Sequence, residues 1–214
     1  MQLRLETGLT SDEYVSERGW EKATLDRCPV HHEGGCGFAR HTAYERKSPP
    51  GTRIPRWYCP QAHQTFSLLP NFLAARLPGA LADVDAVVRE YEAARDREVE
   101  PALTWEAAAA ELRPDIEVQG ALRWLRRRVV PVHAAVRALI GLMPDLFAGC
   151  APTLTSLSAR LRVPCVLVAL REIAEQWLGR LPPSLGFGPR PARRWRRSTA
   201  LQQDSGADPP AQHR

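Results

Sequence analysis

Cys28-Pro-Val-His31-His32-Glu-Gly-Gly-Cys36-Gly-Phe-Ala-Arg-His41 is followed, after a polar span, by Arg56-Trp-Tyr-Cys59-Pro-Gln-Ala-His63-Gln-Thr-Phe-Ser-Leu-Leu-Pro70. Two clusters of thiols and imidazoles therefore flank a short stretch rich in strand formers. Two such clusters can supply four ligands to a closed tetrahedral zinc site. A segment this small buries little core, so a metal would be its main source of folding energy. Cys59-x-x-x-His63 has the spacing of one ligand-bearing turn, and Cys28-Pro-Val-His31 that of another. Cys36-Gly37 adds a small residue that lets backbone amides turn toward sulfur. The expected ligands of Zn2+ are Cys28, Cys36, Cys59 and His63, with His31 as the substitute for Cys36. His32 and His41 are read as solvent or strand residues.

Around these ligands the pattern is that of strands. Phe38 to Tyr44 alternates large and small residues, Lys47-Ser-Pro-Pro-Gly-Thr52 is a turn, and Ile54–Tyr58 and Thr65–Leu69 make two further strands. Pro55 lacks a backbone N–H and predicts an edge position for its strand. Residues 1–24 read as a polar, loosely ordered lead-in, and residues 25–70 as the zinc module.

From Pro78 the period changes. Leu81, Val84, Val88 and Tyr91 recur three to four apart, as one face of a helix does. Asp83, Asp85, Glu90, Glu92, Asp96 and Glu98 alternate with basic residues and read as its solvated face. Thr104 can cap a helix over Trp105–Leu112, Arg113-Pro-Asp115 breaks it, and a second helix runs from Glu117 to Val130. Pro131 either kinks that helix or starts the next. A helix after Pro164 places Val166, Leu167, Leu170, Ile173, Ala174 and Trp177 on one broad face. Cys150 and Cys165 sit among apolar residues and read as core cysteines. The fold expected is α+β, mostly α: a small β zinc ribbon, then an α-helical domain over residues 71–182, then a disordered basic tail over 183–214.

Bulk composition narrows the function. A net charge of +5 and a pI near 9.2 favour anionic partners. Met1-Gln-Leu-Arg-Leu-Glu-Thr-Gly carries no apolar run, and no stretch is long enough for a membrane span, so a cytoplasmic setting is expected. In a reducing compartment clustered cysteines favour metal over disulfides. From Gly179 to Gln203 there is no acidic residue, while Arg193, Arg194, Arg196 and Arg197 flank Trp195. Such an arm releases counterions from a phosphate backbone, and its indole can stack on bases.

The cysteine segment resembles the transposase-type zinc ribbon found at the head of insertion-sequence transposases and in related uncharacterised bacterial proteins. The resemblance rests on Cys28-Pro, Cys36-Gly-Phe-Ala-Arg-His, the Arg-Trp-Tyr-Cys59 lead-in and Thr65-Phe-Ser-Leu-Leu-Pro70. The family carries two Cys-x-x-Cys knuckles. Here the first is stretched to Cys28-x7-Cys36, and Ala62 stands where the second cysteine of the other would be. A further stretch, Glu106-Ala-Ala-Ala-Ala-Glu-Leu112 followed by Ala121-Leu-Arg-Trp124-Leu-Arg-Arg-Arg128, is similar to a transposase or regulator helix-turn-helix near residues 104–130.

Together these resemblances imply double-stranded DNA as the partner, with Arg123, Arg126, Arg127 and Arg128 set toward phosphates. A second copy of the chain is a candidate further partner. No strand-rich nuclease domain, glycine-rich phosphate loop or nucleophile motif is legible, so no enzyme is expected. The alternative is a zinc-stabilised scaffold for protein–protein interaction, built on the apolar helices around Val166–Trp177.

Overall fold

The computed structural model describes residues 1–96 and 104–188. Among them the architecture is α+β. A four-stranded sheet has the order β1 (Gln2–Leu5), β4 (Gln64–Pro70), β3 (Arg53–Cys59), β2 (Ala39–Glu45). β3 pairs antiparallel with both β2 and β4, while β1 lies parallel to β4, with Gln2 opposite Ser67 and Leu5 opposite Pro70.

The sheet buries both faces. Trp57, Cys59, Phe66 and Leu68 form one small core with Ala23, Cys28 and Cys36. Ile54 and Leu69 point the other way and join Leu73 and Ala75. This is the two-residue alternation of strands at work.

The lead-in differs from the expectation for residues 1–24. It supplies β1 and two short helices, α1 (Ser11–Ser16) and α2 (Gly19–Lys22). Thr10 and Glu13 form a reciprocal cap on α1: Thr10 Oγ1 accepts from Glu13 N and Glu13 Oε2 accepts from Thr10 N. Tyr14 is fully buried and donates its hydroxyl to Arg53 O at 3.0 Å. Gly19 is obligatory beneath it, since a Cβ there would lie 2.3 Å from the Tyr14 ring.

Pro55 does not mark an edge. β3 is an interior strand, and Pro55 sits beside the register shift between Arg40 and Ala43, one residue beyond the point where pairing with β4 begins. Its missing N–H falls where the ladder is already interrupted.

The helical part is α3 (Leu81–Arg95), α4 (Trp105–Leu112), α5 (Val118–Leu142), α6 (Leu154–Leu161) and α7 (Val166–Ile173), then a short 3-10 turn over Glu175–Trp177. Leu81, Val84, Val88 and Tyr91 of α3 are buried as their spacing predicts, and α3 packs on α5, α6 and α7. α5 continues through Pro131 to Leu142, about 37 Å in all. Proline is tolerated there because the Arg127 carbonyl left without its donor belongs to an exposed residue, which water can reach.

The acidic residues of α3 are not all solvated. Asp85 and Glu92 are 2% and 4% exposed. Asp85 Oδ2 accepts from Leu167 N at the start of α7. Glu92 accepts from Leu154 N, Thr155 N and Thr155 Oγ1 at the start of α6, and from His133 Nε2 at 2.8 Å. Both carboxylates cap neighbouring helices across the core, where orphan N–H groups and the positive end of the dipole favour them. Glu98 lies outside the described residues.

The boundary at residue 183 also shifts. Ser184 and Leu185 are buried, and Arg171 of α7, itself 1% exposed, donates to the carbonyls of Asn71, Leu73, Ser184 and Leu185. Desolvation, then the nearby charges of Arg4 and Arg46, push its pKa well below the usual guanidinium range. This one side chain ties α7, the exit of β4 and the segment after Pro183 together.

Candidate metal centre and basic face

The segment between α2 and β2 has no regular structure, and it is held in place by its neighbours. Arg40 of β2 donates to the carbonyls of Trp20, Glu21 and Ala23 and lies over the Trp57 ring. Gly34, Gly35 and Gly37 adopt φ of +84°, +74° and +68°, which other residues rarely accept. These turns bring Cys28, His31 and Cys36 against Cys59 at the end of β3.

The four ligand atoms of Cys28, His31, Cys36 and Cys59 lie within 4.8 Å of one another. His31 Nδ1 is 3.7 Å from Cys28 Sγ and 3.4 Å from Cys59 Sγ. In a tetrahedral shell with bonds of about 2.0–2.3 Å, ligand atoms stand about 3.5–3.8 Å apart, so these separations suit one ion. The group could hold a metal. Three soft sulfurs and one imidazole match the Cys3His donor set of closed structural sites.

Backbone amides face each sulfur. Ala62 N donates to Cys59 Sγ at 3.4 Å. Burial alone would raise the Cys28 thiol, but hydrogen bonds from the His31 and Val30 amides, then from the His31 and Cys59 side chains, outweigh it and bring the pKa down to about 6. For Cys36 burial prevails over the Phe38 amide, and the neighbouring Cys59 and Cys28 add to it, so its thiol is pushed up. A cation bound among them would offset the charge of Cys28 that opposes ionising Cys36.

His63 is not in the group. It occupies the β3–β4 turn with φ of +48°, hydrogen-bonds through its backbone N–H to Pro60 O, and is exposed, its ring 3.5 Å from the Tyr58 hydroxyl. Of this cluster, Cys59 alone joins the group. The first cluster supplies the other three. His31 therefore replaces His63, not Cys36, and all three cysteines stay.

The basic residues are less uniform than their sequence suggests. Arg123, Arg126 and Arg127 are exposed on α5. Arg126 lies 5.7 Å over Trp105 and 3.9 Å from Glu106. Arg128 is half-buried, 4.3 Å over Trp124, and burial followed by the charge of Arg113 lowers its pKa. It braces the α4–α5 junction rather than facing outward. Arg137, two heptads beyond Arg123, is also exposed. Arg127 and Arg137 make no hydrogen bond or ion pair with any described residue. Arg137 was legible in the period of α5, had the helix been carried through Pro131. Arg193, Arg194, Arg196 and Arg197 lie outside the described residues.

No family model matches the chain, and no curated protein or solved structure matches it. No helix among the described residues is long and apolar enough to cross a membrane.

Proposed function

We propose that the protein binds double-stranded DNA, with Zn2+ on Cys28, His31, Cys36 and Cys59 fixing the loop beside the sheet. The observation that carries the DNA reading is α5, which spans 25 residues without one acidic side chain and exposes Arg123, Arg126, Arg127 and Arg137. A row of guanidinium groups along one helix can follow a phosphate backbone, and release of counterions supplies the affinity. The short α4, broken from α5 by Arg113–Glu117 and packed on it, supports a reading in which one helix would brace another at the duplex. Arg193, Arg194, Arg196 and Arg197 would add phosphate contacts.

The zinc would have four protein ligands and no open position, which suits a structural role. The resemblance of residues 25–70 and 104–130 to the recognition part of a transposase supports a role as a mobile-element accessory, a remnant or a regulator.

Fluorescence anisotropy with mixed-sequence duplex DNA at two salt concentrations tests this. Binding that weakens steeply with salt is expected. Arg126→Ala with Arg127→Ala should weaken it and flatten the slope of log K against log salt by about 2. An unchanged slope removes α5 from the interface, and absence of binding at low salt rejects the reading.

A second reading has its own observation. Ile116, just before α5, and Val118 and Val130 on it are 39%, 46% and 51% exposed, large apolar side chains among the arginines. Tight, salt-insensitive protein binding lost in Val130→Asp would favour a scaffold.

A further inference from the structure

The loop that carries Cys28 and Cys36 is open on its outer side. A cavity of about 510 Å3 lies against it, with Cys28, His31, Cys36, Gly34 and Gly35 in its wall and Cys59 outside it. Cys28 and Cys36 are 3% and 6% exposed, against 0% for Cys59. At Gly34 and Gly35 nothing stands within 4 Å of where a Cβ would be. Glycine puts no side chain in the way there, so a small solute can approach the edge of either sulfur.

The three sulfurs also differ in how firmly they are held. Cys59 ends β3, is paired with Gln64 of β4, and accepts at Sγ from Ala62 N. Cys28 and Cys36 belong to the segment between α2 and β2, which has no strand or helix to fix its backbone. The Sγ atoms of Cys28 and Cys36 lie within 4.8 Å of each other. A shift of this loop alone joins them, whereas a bond to Cys59 has to draw the loop onto a paired strand.

We propose that Cys28 and Cys36 form a reversible oxidation site, through which a small peroxide releases the metal. The inference rests on the reading of Cys28, His31, Cys36 and Cys59 as zinc ligands. One thiolate of the pair attacks a peroxide oxygen, the O–O bond breaks, and a sulfenic acid and a hydroxide form. The other thiolate attacks that sulfur, the S–O bond breaks with loss of a second hydroxide, and the disulfide closes. The two sulfurs together give up two electrons, and hydrogen peroxide takes them to become, after protonation, two waters. His31 and Cys59 are then the remaining donors, too few for the closed four-ligand shell of a structural site. A dithiol returns two electrons and two protons, becomes a disulfide itself, and lets the site reload.

The test uses the full chain loaded with zinc, its metal content measured first. Hydrogen peroxide should release the zinc to a colorimetric dye, and dithiothreitol with added zinc should restore it. Trypsin cuts after Arg27, Arg40, Arg56 and Arg76, so Cys28 and Cys36 share the peptide 28–40 while Cys59 lies in 57–76. Mass spectrometry of the oxidised chain should find 28–40 lighter by two hydrogens and not linked to 57–76. Cys59→Ser should still give the lighter peptide, because the pair is intact. Cys150→Ser with Cys165→Ser, which lie at the helical core, should leave both release and mass change as they are. A chain that takes up no zinc overturns the zinc reading and this proposal together. A chain that takes up zinc and keeps it under peroxide overturns this proposal alone. So does a link from 28–40 to 57–76 as the main product, release that tracks only sulfinic or sulfonic acid, or release lost with Cys150 and Cys165.

Discussion

Glu92 shows how much one side chain can carry. It sits mid-helix among alternating charges, a pattern that reads as solvent-facing, yet it is buried and accepts four hydrogen bonds from His133, Leu154 and Thr155. Burial alone would raise its carboxyl, but the His133, Thr155 and Leu154 hydrogen bonds prevail and the pKa falls below the ordinary glutamate value of 4.5. A depressed carboxylate contributes stability that is present above the unfolded pKa and lost as pH falls through the folded one. Urea unfolding should therefore show stability declining below about pH 4.5, and Glu92→Gln should flatten that decline. Glu92→Ala, which orphans the α6 amides, should cost about 2–4 kcal/mol at pH 7. Asp85 runs the other way. Desolvation outweighs the help from the Leu167 amide and Arg89 and holds its carboxyl above the usual range, so its charged form opposes folding at neutral pH.

At the scale of elements, the loop before β2 and the turn after β3 divide the ligands unequally. Cysteine spacing pointed to two ligands from each cluster. The β3–β4 turn instead places His63 in the left-handed region and turns its ring outward. Colorimetric zinc release and the cobalt–thiolate absorption band should therefore be unaffected in His63→Ala. His31→Ala should weaken binding by 10-fold or more, on the order of the loss seen when a ligand's partner is removed, and Cys59→Ser should abolish the cobalt–thiolate signal for that sulfur. Loss of zinc in His63→Ala would reinstate the spacing-based set. Chelation should make residues 24–38 sensitive to protease while the helices persist, because β3 and β4 also pack through Ile54 and Leu69 away from the metal loop.

On the scale of the whole molecule, the sheet and the helices are joined rather than strung together. Arg46 donates to the carbonyls of Ala74 and Leu77, and Arg171 to four carbonyls on two segments. Arg171→Met keeps much of the side chain's length and removes every donor. It should cost about 3 kcal/mol or more, since the carbonyls of Asn71, Leu73 and Leu185 lose the guanidinium while that of Ser184 keeps only Ala75 N, and the loss should appear in a single unfolding transition that takes sheet and helices together. Two separate transitions in the native chain would show that the parts fold independently.

Local chemistry made much of this legible in the chain. The period-two runs of β2, β3 and β4, the three-to-four spacing of Leu81 to Tyr91, the Thr104 cap and the gathering of three cysteines depend on neighbours a few residues away, and the structure has them where the sequence places them. What only the tertiary structure decided depends on partners far along the chain. Strand order put β1 beside β4 and made β3 interior in spite of Pro55. Glu92 and Asp85 became caps because α6 and α7 present their amide ends to α3, more than sixty residues on. His31 displaced His63 because a turn's backbone geometry, not its spacing, aims a side chain. Composition and period describe what a residue prefers, whereas its partner is set by which surfaces the closed chain brings together.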